Sequence, residues 1–138
     1  MSQDDCIFCK IVAGDIGCHK IYEDGDVLAF LDIGPLSDGH SLVIPKLHFA
    51  TVDQCPPDVL CCVAANLCKI AGAVVAATGC DGYNILCNNG RAAGQLVEHV
   101  HFHIIGRNTA DGVFSQWPSK EYEEGKAVAM AEKIRENL

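Results

Sequence analysis

The sequence predicts an α+β fold: an antiparallel sheet of about five strands with one long helix and a C-terminal helix. Three observations carry that prediction. Short β-rich segments follow one another with predominantly short connections, which favours antiparallel pairing. The stretch from Pro57 to Thr78 has helical periodicity over its whole length. His99 to Ile105 (HVHFHII) alternates histidine with apolar residues for the length of a strand.

Taken in order, Cys6 to Ala13 reads as a turn or two of helix stopped at Gly14, with Ile7, Phe8 and Ile11 on neighbouring parts of one surface. Lys20–Glu23 and Val27–Ile33 are strands separated by Asp24-Gly25-Asp26, a hairpin signal. After a Gly/Pro/Ser loop, His40–Ile44 is a third strand, stopped by Pro45. Pro56 and Pro57 suit a helix start, and Asp58 complements its positive end. Val59, Leu60, Val63, Leu67, Ile70, Ala71 and Val74 then form one stripe, and Thr78-Gly79 closes the helix. Its other side carries Cys61, Cys68, Gly72 and Val75 and is scarcely polar, so burial on more than one side is expected. Tyr83–Cys87 is a fourth strand. A turn-rich loop, Asn88 to Gln95, leads into the histidine strand. The chain is irregular from Asn108 to Trp117-Pro118, and a last amphipathic helix spans about Lys120 to Asn137. No boundary divides the chain, so residues 1–138 are expected to form a single domain.

A net charge of −8 argues against a binder of nucleic-acid polymers or of membrane surfaces, both of which need a positive field. A small anion held by local donors remains compatible with it. No secretory leader is expected after the acidic start, and no apolar stretch is expected to reach the length of a membrane span. The nine cysteines are odd in number and irregular in spacing, which suits small buried apolar residues in a reducing cytoplasm better than a disulfide framework.

Two constellations carry chemistry. On a strand, His99, His101 and His103 share one face, and Val100, Phe102 and Ile104 the other. A neutral imidazole is a competent nucleophile toward phosphorus, and a second one can stabilise phosphoryl oxygens. His101 and His103 are therefore candidates, with His40 across the sheet as a third. The Gly90–Gln95 loop offers unhindered amides for an anion. A catalytic metal held by the three strand histidines is the competing reading, and spacing leaves the two open. The second group is Cys6-x-x-Cys9 with His48 and His99, which together make a closed tetrahedral zinc set. Two buried cysteines on a helical turn would account for the same Cys-x-x-Cys.

The HVHFHII run resembles the His-φ-His-φ-His-φ-φ signature of the histidine triad (HIT) family. Gly94-Gln95, Asn88-Asn89-Gly90, Leu42-Val43-Ile44-Pro45-Lys46 and Ala29-Phe30-Leu31-Asp32-Ile33 resemble the family in the same order and spacing, from about Cys6 to Arg107. The likeness is to the Hint-like branch. It implies a HIT-like fold and cleavage at the α-phosphate of a nucleoside phosphoramidate, dinucleoside polyphosphate or similar conjugate, through a nucleotidyl-histidine. It makes His101 the nucleophile and places His103 and His40 on the phosphate and leaving-group side. It gives Asp32 to the ribose hydroxyls, and Phe8, Ile11, Phe30 and Ile33 to the walls around a purine base. Asn88, Gly94 and the Val97 amide fall on the phosphate side. It implies structural zinc on Cys6, Cys9, His48 and His99. The apolar circumference of the 57–78 helix, with the Tyr83–Cys87 strand that pairs subunits in the resembling family, leads to an expected homodimer, the alternative being that the C-terminal helix covers that side within one chain. Leu96 departs from the pattern, because relatives often carry there a polar residue able to assist the leaving group. The alternatives are a zinc-catalysed enzyme in the same pocket and a non-catalytic nucleotide-binding or scaffold protein. His19 matches no functional position and is expected to be exposed.

Overall fold

The computed structural model describes residues 5–114 and 118–138. Along them run α1 (Ile7–Ala13), β1 (Lys20–Glu23), β2 (Val27–Leu31), β3 (Ser41–Pro45), α2 (Pro57–Thr78), β4 (Gly82–Leu86), β5 (Phe102–Arg107) and α3 (Lys126–Arg135). The strands form one sheet in the order β1-β2-β3-β5-β4, with every neighbouring pair antiparallel.

Local chemistry sets most of the ends. Gly14, at φ 84°, closes α1 in the left-handed region that other residues avoid. In the β1–β2 hairpin the Asp24 carboxylate accepts the Asp26 and Val27 amides at 2.9 and 2.7 Å. Those bonds and one from the Tyr22 hydroxyl hold its carboxyl down to about 2. β2 ends at Leu31 rather than Ile33, because Asp32 Oδ1 accepts the Gly34 amide at 2.8 Å and turns the chain. Pro45 belongs to β3 instead of stopping it, paired with Val27. Its missing N–H would face β5, whose ladder with β3 reaches only Val43, so no bond is lost there.

The histidine strand is shorter than its alternation suggests. Ladder pairing begins at Phe102, and His99 to His101 form an extended lead-in with other partners. The Val100 amide donates to Phe49 O at 2.7 Å and the His99 amide to Val97 O at 2.9 Å. The alternation of faces nevertheless holds. Phe102 and Ile104 pack with Val27, Ala29 and Val43 under Val63, Ile70, Ala71 and Val74 of α2. On the opposite face Leu28, Phe30, Leu42 and Ile44 pack against Cys6 and Phe8 of the α1 segment. Covered on both sides, β2 and β3 are almost continuously apolar.

α2 starts with Pro57 in its first turn and ends at Gly79, φ 66°. Its 22 residues are long and apolar enough to cross a membrane by length and composition alone, which corrects the expectation that no stretch reaches that length. The alanines, cysteines and glycine on its outer side supply the apolarity, while its inner side lies on the sheet. α3 is shorter than expected, beginning at Lys126, and has no buried residue. All nine cysteines are free, and His19 is exposed. Trp117 lies outside the described residues.

Candidate active site and metal centre

The sheet register builds the floor of a cleft. Phe30 pairs with Leu42 and Leu42 with His103, so three neighbouring strands each send one side chain to the same face. Phe8 of α1 closes over this row, edge-on to Phe30 and to His101 at centroid distances of 5.6 and 5.2 Å. The resulting cavity is about 390 Å³. Phe8, Ile11, Phe30, Ile33, Asp32, Asn88, Gly94, Val97, His101 and His103 all line it, as do the unanticipated Ile7, Ile16, Gly17, Cys18, Leu31 and Leu42. Leu42 was legible, since strand parity puts it beside His40 on the histidine face. Cys18, by contrast, is carried there by the loop after α1, which has no periodicity to read.

Hydrogen bonds assign each imidazole a tautomer. His101 Nδ1–H donates to His99 O at 2.6 Å, which leaves the Nε2 lone pair free. The Leu36 amide donates to His40 Nδ1 at 3.1 Å, so the His40 proton sits on Nε2. That proton is donated to His103 Nδ1 at 2.9 Å, and His103 keeps its own on Nε2. His40 is only 3% exposed and stands behind His103 rather than on the cleft wall. Asp32 Oδ2 lies 3.6 Å from His40 Nε2 and 3.9 Å from His103 Nδ1. Burial pushes all three imidazoles below the usual histidine value. For His103, burial followed by the neighbouring His101 and His40 takes it to about 4, against the opposing pull of Asp32. The hydrogen bonds, which leave each ring a single N–H, agree with that direction.

The loop before β5 is braced by Gln95, 4% exposed, which accepts the Gly90 amide at 2.6 Å and donates to Ala50 O at 2.7 Å. Gly94 turns this corner at φ 87°, in the left-handed region that favours glycine. Leu96, 90% exposed, lines the same cleft.

One pleat from His101 lies a second cluster. His99 Nε2–H donates to Pro45 O at 2.8 Å, which aims Nδ1 at His48 Nδ1 (3.3 Å), Cys6 Sγ (3.5 Å) and Cys9 Sγ (3.6 Å). Cys9 Sγ is 3.3 Å from His48 Nδ1. Burial, then the Cys6 thiol, pushes Cys9 up to about 11, a cost that a cation between the two sulfurs would offset. Cys6, Cys9, His48 and His99 can hold a metal ion, their four donor atoms lying within 4.8 Å of one another. His99 thus faces away from the cleft, and among the described residues the three strand histidines do not form one donor set, contrary to the catalytic-metal reading. Asp32, His40 and His103 also approach within 4.8 Å. There, however, the nitrogens are engaged in the hydrogen-bonded chain just described.

Comparison with known proteins agrees with this geometry. A family model for the HIT domain matches residues 13–110. The chain is 50% identical over 109 residues to the adenylylsulfatase HINT3 of Arabidopsis thaliana, covering 79% of this chain and 55% of that relative, so it spans about half of that protein's length. It is 46% identical over 134 residues to the adenosine 5′-monophosphoramidase hnt1 of Schizosaccharomyces pombe, covering 96% and 98% of the two chains. A HIT family protein from Bacillus anthracis superposes with a TM-score of 0.91 at 41% identity, over 98% of each chain. A Zn-bound histidine triad family protein from Mycobacterium smegmatis superposes at 0.76 and 36% identity, over 99% of this chain and 100% of that one. With the matched domain spanning most of its length and relatives aligned over nearly all of it, this chain belongs to the HIT family.

Proposed function

We propose that the protein is a nucleotide hydrolase or nucleotidyl transferase that cleaves at the α-phosphate of nucleotide conjugates, phosphoramidates and dinucleoside polyphosphates included, through a nucleotidyl-histidine. The observation that carries this reading is the 2.6 Å bond from His101 Nδ1–H to His99 O, which presents Nε2 to the cleft as a lone pair. His101 attacks the α-phosphorus and the leaving group departs. Water then attacks the phosphorus and frees His101. His103 Nε2–H donates to a phosphoryl oxygen, and His40 holds it in that tautomer. Asn88, Gly94 and the Val97 amide position the phosphate, and Asp32 takes the ribose hydroxyls. Phe8, Ile11, Phe30 and Ile33 enclose a purine. The phosphoramidase and adenylylsulfatase names of the relatives support the reaction class. Intact-mass measurement after mixing with adenosine 5′-phosphoramidate tests it. A nucleotidyl adduct that is absent from His101→Ala is expected, and turnover by that variant at the wild-type rate would overturn the assignment.

The metal is zinc in this reading. A tetrahedral ion with bonds of roughly 2.0–2.3 Å to N and S separates its ligands by roughly 3.3–3.8 Å, and the four contacts above, 3.3 to 3.6 Å, suit it. When bound, zinc would fix the turn of α1 to the start of the reactive strand. The protein also pairs as a homodimer through α2 and β4. β4 is an edge strand, with Tyr83 and Ile85 49% and 41% exposed, and Cys61 and Cys68 stand exposed on α2. α3, with no buried residue, does not cover them. Reduced cysteines suit a cytoplasmic setting.

A further inference from the structure

Cys6 and Cys9 bracket Ile7 and Phe8 in the chain, and the two pairs face different sites. The thiols meet His48 and His99, whereas Ile7 and Phe8 line the cleft. One turn of α1 is therefore shared by the candidate metal centre and the cleft wall. Phe8 stands between them, edge-on to His99 at 6.0 Å as well as to His101 at 5.2 Å. Little else holds that turn. α1 has seven residues, too few to sustain a helix unaided. No side chain caps its N-terminus, and Phe8 is its one buried residue. The main-chain bonds from Lys10 N to Cys6 O, and from Asp15 N and Ile16 N to Lys10 O, stay inside the segment and do not reach the sheet.

We propose that Cys6 and Cys9 are positioning residues for nucleotide binding: anchored to a metal ion together with His48 and His99, they fix the Ile7-Phe8 wall, so that metal and nucleotide bind with positive, reciprocal coupling. The inference rests on the nucleotide reading of the cleft and on the metal reading of the cysteine cluster. Where the thiols are not anchored, α1 must be ordered at the moment the base enters, and that free energy is taken from nucleotide affinity. Where they are anchored, the wall is already in place. Linkage then requires the nucleotide to tighten metal binding by the same factor. The coupling belongs to the base. His101, His103 and Asp32, which meet the phosphate and ribose in that reading, lie on β5, its lead-in and the turn after β2, and none is on α1. It should therefore appear in nucleotide affinity and KM and leave kcat per folded molecule in place.

The test is the zinc affinity of the full-length protein, measured by competition with a chromophoric chelator, alone and with adenosine 5′-monophosphate or ribose 5-phosphate at matched saturation. Adenosine 5′-monophosphate should tighten zinc about tenfold, and calorimetry should show the nucleotide weakened by the same factor in folded, metal-free protein. Ribose 5-phosphate, which has no base to reach Ile7 and Phe8, should change zinc affinity less than twofold. In Phe8→Ala the effect of the nucleotide should also shrink to less than twofold. A ligand that merely stabilised the fold would raise zinc affinity whichever end of the cleft it filled. Equal effects of the two ligands in wild type, or no effect of either, therefore overturn the inference without recourse to any variant. A His101 adduct formed by the same preparation would leave the nucleophile reading standing in that case. Failure of adenosine 5′-monophosphate to bind the zinc-loaded protein overturns the nucleotide reading and this inference together.

Discussion

His101 and His103 have the same side chain two positions apart, yet their environments give them opposite roles. One has its Nδ1 proton tied back to the main chain and the other accepts at Nδ1 from His40, so a lone pair and an N–H are presented by two residues that line the same cleft. Replacing His101 with Ala removes the lone pair. Turnover should fall by several orders of magnitude, while nucleotide affinity measured by calorimetry stays within a few-fold. His103 also makes stability depend on pH. Its folded-state value of about 4 lies below the unfolded histidine value, so between about pH 6.5 and 4 the unfolded chain binds a proton that the folded chain refuses. The sign follows: this contribution is complete above pH 6.5 and is lost as pH falls toward 4, by roughly 2–3 kcal/mol. Urea unfolding at pH 7 and pH 4.5 should show a smaller difference in His103→Gln than in wild type. Equal losses would assign the acid sensitivity to other groups.

At the scale of elements, the loop entering β3 passes close to the end of α2 at Gly39. Gly39 has φ 75°, and a Cβ there would sit 2.8 Å from Thr78 Cγ2. Gly39→Ala therefore meets both backbone strain and a clash, and it should cost about 2 kcal/mol or more. Because the neighbouring His40 holds His103, kcat should fall with stability, a pairing that a remote core change of equal cost should not show. α2 also carries the dimer proposal. Cys68 is exposed on its outer side, and an arginine there would have to be buried without a partner in any α2–α2 interface. Light scattering at micromolar concentration should give twice the chain mass for wild type and the single-chain mass for Cys68→Arg. A wild-type mass of one chain would refute the pairing.

For the whole molecule, the residues that can hold a metal come from three distant stretches: the N-terminal Cys6 and Cys9, His48 after β3, and His99 before β5. Closing such long loops restricts the unfolded chain, and ligand binding to the folded form adds its own stabilisation. Prolonged chelation, or Cys6→Ser with Cys9→Ser, should release one zinc per chain and lower Tm by ten degrees or more. Residual activity per folded molecule should survive, since the metal donors face away from the cleft. Loss of chemistry in fully folded, metal-free protein would instead make the ion catalytic.

Alternation, turn chemistry and capping residues were enough to determine the kind and order of the elements, though not every boundary. The period of two in residues 99–105 separated the histidine face from the core face. Asp24-Gly25, Pro57, Gly14 and Gly79 marked ends that the structure keeps. These are short-range effects, settled by a residue and its near neighbours along the chain. Long-range packing decided the rest. Where β5 begins depends on β3, whose ladder with it ends at Val43, and on Phe49, which takes the Val100 amide. The division of three equivalent-looking histidines into one that joins the cysteine cluster and two cleft residues depends on Pro45 O, which turns His99 Nδ1 toward the cysteines. His40 became a support for His103 because the Leu36 amide occupies its other nitrogen. Each outcome rests on a hydrogen bond between residues that the sequence does not place side by side, and an imidazole's role follows from which of its two nitrogens is already engaged.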